Sequence, residues 1–109
     1  MSKLAIYDTD ILSEKLIDVV IRVAVGFKVR NFKLKATSSS FEEAVSKAIE
    51  YSSKHIVRVL NKQFYCNLCG KGPYTRKGMY LHLLRMHKYE IKNIVRDELK
   101  EIESSTDTN

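Results

Sequence analysis

The chain has 109 residues, 44% of them hydrophobic and 29% charged, with 19 Lys+Arg against 13 Asp+Glu and a net charge of +6. That length allows one ordinary domain, or a small domain with an appendage, and leaves little room for both a core and a walled catalytic pocket. The longest apolar run, Val19 to Val25, is broken by Arg22. No stretch approaches the roughly 18–20 residues of a membrane span and Met1–Leu4 carries no signal-peptide core, so an intracellular location is expected.

Leu4–Tyr7 reads as a short edge strand. Thr9 and Asp10 suit an N-cap, and Leu12, Leu16, Val19, Val20, Val23 and Phe27 then recur at helical spacing. A helix is expected over about Ile11–Val25, closed by Gly26. In Asn31–Ala36 the alternation places Phe32, Leu34 and Ala36 on one face and Asn31, Lys33 and Lys35 on the other, which predicts a half-buried strand with a basic outer face. Ser40 with Glu43 has capping-box spacing and opens a second helix carrying Phe41, Ala44, Val45, Ala48 and Ile49. Its end is ambiguous. Ile56, Val59 and Leu60 can continue a helical face, but Val57–Leu60 followed by Asn61–Lys62 also reads as a strand and turn, and the strand is favoured. The order strand, helix, strand, helix is similar in pattern alone to small α+β domains such as the Alba family. The basic loop that follows the first strand there has no counterpart, because Asp8 and Asp10 stand in its place.

Cys66, Cys69, His82 and His87 follow the pattern Cys-x2-Cys-x12-His-x4-His. Two thiolates in one tight turn and two imidazoles about one helical turn apart can close a tetrahedral site with no open coordination position, which suits one structural Zn²⁺. A Cys66–Cys69 redox pair or idle thiols are the alternatives, but neither explains the histidines and no thioredoxin-like context surrounds the cysteines. His55 stands alone and is expected to be a surface or core residue.

The segment resembles a C2H2 zinc finger beyond its ligands. Phe64 lies two residues before the first cysteine and Met79 three before His82, at the family's aromatic and leucine positions. The family's second core aromatic falls where this chain has Pro73, leaving Tyr74 to fill the space. The resemblance implies a ββα fold over about residues 63–88, with Thr75, Gly78 and Leu81 at the base-reading positions. None of these makes a bidentate base contact. A finger this small needs its metal to fold, so chelation is expected to melt residues 63–88 and spare the N-terminal helices.

The charge is unevenly placed. Residues 1–58 are net +3, residues 59–88 carry six basic and no acidic side chains, and residues 89–109 are net −3. Lys71, Arg76, Lys77, Arg85 and Lys88 are therefore expected to contact phosphate, with help from Lys33 and Lys35. After the finger, Ile91, Ile94, Val95, Leu99 and Ile102 form one stripe of an amphipathic helix over Tyr89–Ile102, and Ser104–Asn109 reads as a disordered polar tail.

The sequence thus predicts an α+β chain: a small N-terminal α/β domain (1–62), one finger (63–88), a C-terminal helix (89–103) and a tail (104–109). The expected function is non-catalytic nucleic-acid binding, to DNA or RNA, through phosphate contacts of a zinc-stabilised basic finger. A second reading is a protein-interaction module, in which Leu81, Leu84 and the C-terminal stripe dock a protein partner or a second copy. No catalytic triad is suggested by the placement of Ser, His and Asp.

Overall fold

Asp8, in extended conformation, opens helix α1 (Thr9–Val25): its Oδ1 accepts from the backbone N–H of Asp10 at 2.9 Å and of Ile11 at 3.4 Å. The cap therefore falls one residue earlier than Thr9. Asp10 is instead a first-turn acid at the positive end of the helix, and its carboxylate meets Lys92 Nζ at 3.2 Å and Arg96 Nη1 at 3.4 Å. The Lys92 ammonium, with Arg96, holds Asp10 below the usual carboxylate range. Gly26 ends the helix at φ +81°, with its N–H donating to Val23 O and the N–H of Phe27 to Arg22 O at 2.8 Å. This is the Schellman closure, which glycine enters without steric cost. The buried face carries Leu12, Leu16, Ile17, Val20, Ile21 and Val25. It is turned away from Val23, which is 40% exposed, because the i, i+4 rows through Ile17 and Ile21 face the other helices.

The structure, a computed structural model, describes residues 8–29 and 39–107. The strands expected at Leu4–Tyr7 and Asn31–Ala36, with Lys33 and Lys35, lie outside these residues, as does the Ser40 side chain of the expected capping box. Helix α2 (Ser39–Ile56) buries Phe41, Val45, Ala48 and Ile56. It gives way to strand β1 (Val57–Leu60), which pairs antiparallel with β2 (Gln63–Cys66) in the register Val57↔Cys66 to Leu60↔Gln63. The two-residue turn between them needs left-handed backbone at both positions, and Asn61 and Lys62 have φ of 51° and 64°.

Helix α3 (Arg76–Met86) packs on α1 and on β2, and helix α4 (Lys88–Asp107) lies across α1 and α2. The α4 stripe is covered within the same chain: Ile91, Val95 and Leu99 are fully buried, and Ile94 and Ile102 half-buried. The helix runs on to Asp107, into the segment expected as a disordered tail, whose last two residues lie outside the described ones. Once a helix is nucleated each further residue adds a hydrogen bond, and no Gly or Pro interrupts Glu103–Asp107. The described residues thus form four helices and one two-stranded hairpin around one continuous core. Phe64, Cys66, Met79 and Leu83 belong to the same cluster as Leu16, Val45 and Leu99, so the packing is continuous across the expected boundary between residues 62 and 63.

Polar contacts fasten α3 to α1. The Tyr80 hydroxyl donates to Asp18 Oδ1, and Arg22 Nε donates to Asp18 Oδ2 at 2.7 Å. Arg76 Nε donates to the carbonyl of Val25 at 2.7 Å, one of the orphan acceptors at the end of α1. A cation at the negative end of a helix is favourable, and a hydrogen bond from a charged donor exceeds a neutral one. Arg76→Ala is expected to lower stability by about 1–2 kcal/mol, read from the urea midpoint. An unchanged midpoint would rule out this capping role.

Candidate metal centre

Cys66 ends β2, and the chain turns back on itself there. Gly70 N–H donates to Cys66 O at 2.7 Å, and Cys66 N–H donates to Lys71 O at 2.8 Å. Residues 71–74 then run back along β2, where Phe64 and Tyr74 exchange both backbone hydrogen bonds, at 3.1 and 2.8 Å. Strand β2 is therefore flanked by β1 on one side and by this returning segment on the other. Gly72 has φ +151°, and a Cβ there would stand 2.7 Å from Tyr65 Cδ1 and 2.8 Å from Phe64 O. Only glycine lets the return lie this close.

Thr75 caps α3, its Oγ1 accepting from Gly78 N–H at 3.1 Å. The helix carries His82 inward and ends at His87, whose N–H still donates to Leu83 O at 3.0 Å. The backbone at His87 leaves the helical region (φ −127°, ψ 19°), and α4 starts at the next residue with Ile91 N–H donating to His87 O at 2.9 Å. His82 and His87 are five residues apart, and this break lets both rings reach the same point.

One donor atom from each of Cys66, Cys69, His82 and His87 lies within 4.8 Å of all the others, a group that can hold a metal ion. Cys69 Sγ stands 3.4 Å from His82 Nε2. Cys66 and His87 are buried, His82 is half-buried and Cys69 is exposed. Both cysteines are free thiols. Burial pushes the Cys66 thiol up, while the Lys71 backbone N–H and the neighbouring His87 pull Cys69 down. Burial, with the charge of His87, lowers His82. Burial also acts to lower His87, but the Glu90 carboxylate and the Cys69 sulfur outweigh it and the net shift is upward. Most telling is His87 Nε2, a buried nitrogen without a hydrogen-bond partner among the described residues. Such atoms are rare because an unpaired buried polar group is costly, and here the residue belongs to the cluster.

Phe64 and Met79 are buried, as the finger resemblance implies. Tyr74 takes the second aromatic's place, half-buried, with its ring stacked 4.8 Å from that of His82 and its hydroxyl 3.3 Å from His82 Nδ1. Lys71, Lys77, Arg85 and Lys88 are exposed. Arg76 is exposed too, but its guanidinium is engaged by Val25, so its contribution begins with holding α1 to α3. Thr75 is occupied as a cap, and Gly78 and Leu81 are half-buried. His55 is exposed, 4.0 Å from Glu98 and not part of the cluster. Sequence reasoning missed Glu90, whose Oε1 lies 2.6 Å from His87 Nδ1. Its spacing of three residues from His87 was the available signal.

No helix among the described residues is long and apolar enough to cross a membrane. Comparisons of the chain with protein-family models, with curated proteins and with solved structures each found no match.

Proposed function

We propose that Cys66, Cys69, His82 and His87 hold one structural zinc ion, and that the finger so formed binds DNA or RNA through the phosphate backbone. The observation that carries the metal reading is the convergence of four donors around a buried, unpartnered imidazole nitrogen. Donors on a tetrahedral zinc stand about 3.3–3.8 Å apart, and the 3.4 Å between Cys69 Sγ and His82 Nε2 already falls in that range. Thiolate and imidazole donors in equal number favour zinc over hard cations, which prefer oxygen.

The phosphate reading rests on Lys71, Lys77, Arg85 and Lys88, all exposed, in a stretch of thirty residues, 59–88, without an acidic side chain. The positions that read bases in related fingers offer little here, since Thr75 is spent on capping and Gly78 has no side chain. Binding is therefore expected to be strongly salt-dependent and weakly sequence-dependent. Of the docking face in the protein-interaction reading, the α4 stripe is covered by α1 and α2, while Leu81 and Leu84 are half-buried.

The test is a salt titration of the zinc-loaded protein against duplex DNA and structured RNA. Lys71→Glu and Lys77→Glu together are expected to weaken binding to all sequences alike, and to shrink the duplex salt slope by about 0.9 for each phosphate left without its cation. A folded, zinc-bound variant with unchanged affinity and slope would overturn the phosphate reading.

A further inference from the structure

We propose that Glu90, the first-turn acid of α4, is a positioning residue for the metal. It fixes the ring of His87 through Nδ1 so that Nε2 faces the thiolates. This inference rests on the zinc reading above. An ionised carboxylate only accepts hydrogen bonds, so the 2.6 Å contact between His87 Nδ1 and Glu90 Oε1 places a proton on Nδ1. In a neutral imidazole that leaves the lone pair on Nε2, the buried atom without a partner. His82 repeats the arrangement: Nδ1 faces the Tyr74 hydroxyl at 3.3 Å, and Nε2 faces Cys69 Sγ at 3.4 Å. Both histidines thus have Nδ1 occupied outside the cluster and Nε2 turned into it.

Glu90 is not forced into this contact. Its side chain is 55% exposed and would be well solvated if it turned outward. It also sits at the positive end of α4, where a carboxylate is stabilised. The fold thereby supplies a carboxylate behind the histidine that joins α3 to α4, and outer partners of this kind raise ligand basicity and fix the ring.

The test compares zinc affinity, by competition with a chelating dye, of the full-length wild type, Glu90→Ala, Glu90→Gln and, as a control on the same helix, Asp97→Ala. Glu90→Ala is expected to weaken zinc binding by about 10–100-fold. Glu90→Gln should recover part of the loss, since its amide oxygen still accepts from Nδ1, and Asp97→Ala should bind as the wild type does. In the cobalt(II)-substituted protein, the d–d bands of Glu90→Ala should shift, which a loss of helix stability alone would not cause. If the wild type binds zinc and Glu90→Ala binds it equally tightly with an unchanged cobalt spectrum, the positioning role is wrong and the metal site stands. If the wild type takes up no zinc, the metal reading itself fails and this role with it.

Discussion

Gently purified protein is expected to contain one zinc ion per chain, and stripping it with a strong chelator should lower the unfolding midpoint of the whole chain rather than melt residues 63–88 alone. Structural zinc in small fingers supplies roughly 10–16 kcal/mol of apparent folding energy. The entire stability of a domain of this size is of the same order, about 5–15 kcal/mol. The sequence by itself suggests that this energy stays local, within residues 63–88. The packing argues otherwise. Cys66 is fully buried, and Phe64, Met79 and Leu83 share one core with α1, α2 and α4. His87 is at once a member of the Cys/His cluster, the end of α3 and the acceptor for the first hydrogen bond of α4. Amide exchange at Val20 and Ile21 should therefore accelerate together with exchange at Met79 and Leu83 when the metal is removed. Elemental analysis finding no zinc, or a disulfide between Cys66 and Cys69, would defeat the metal reading. Unchanged exchange in α1 after chelation would show that the helical core stands without the Cys/His segment.

The difference between the local and the global expectation marks how far the sequence could be read. The convergence of Cys66, Cys69, His82 and His87 was legible because metal chemistry imposes spacing: few other reasons place two cysteines and two histidines at these intervals. The end of α1 was legible for a similar reason, since Gly26 can adopt the left-handed backbone that a Schellman closure needs. The strand at Val57–Leu60 was marked by its β-branched residues and by the turn-forming Asn61. What stayed hidden depends on contacts distant in sequence. Arg76 reads as a free cation for phosphate until α1 brings the Val25 carbonyl to it, 51 residues away. Val19 and Val23 have the same local spacing as Leu12 and Leu16, and only the positions of α2 and α4 decide that the buried face runs through Ile17 and Ile21 instead. The cap of α1 falls one residue before Thr9 and two before Asp10, the expected caps, because Asp8, Thr9 and Asp10 are all competent caps and local composition cannot rank them.

Leu99→Ala is expected to be among the most damaging single substitutions outside the Cys/His cluster, at about 2–5 kcal/mol. Leu99 has no exposed surface and lies on the face of α4 that packs on α1 and α2. Truncation there loses the transfer energy of the removed methyl and methylene groups and leaves a cavity that three packed helices cannot readily close. A loss of this size takes a large part of the stability a small domain has, and each kcal/mol corresponds to about 4–8 °C of melting temperature in a domain of 60–100 residues. A fall of more than about 10 °C is therefore expected, with a smaller one for Ile94→Ala, because Ile94 is only half-buried. The melting temperature should also be independent of protein concentration, since a stripe covered within one chain gains nothing from dimerisation, whereas one covered across a dimer interface would make it rise. Leu99→Asp, which places a charge in the same cavity, should prevent stable folding altogether. If Leu99→Asp folds with an unchanged melting temperature, the α4 stripe does not form the core described for it.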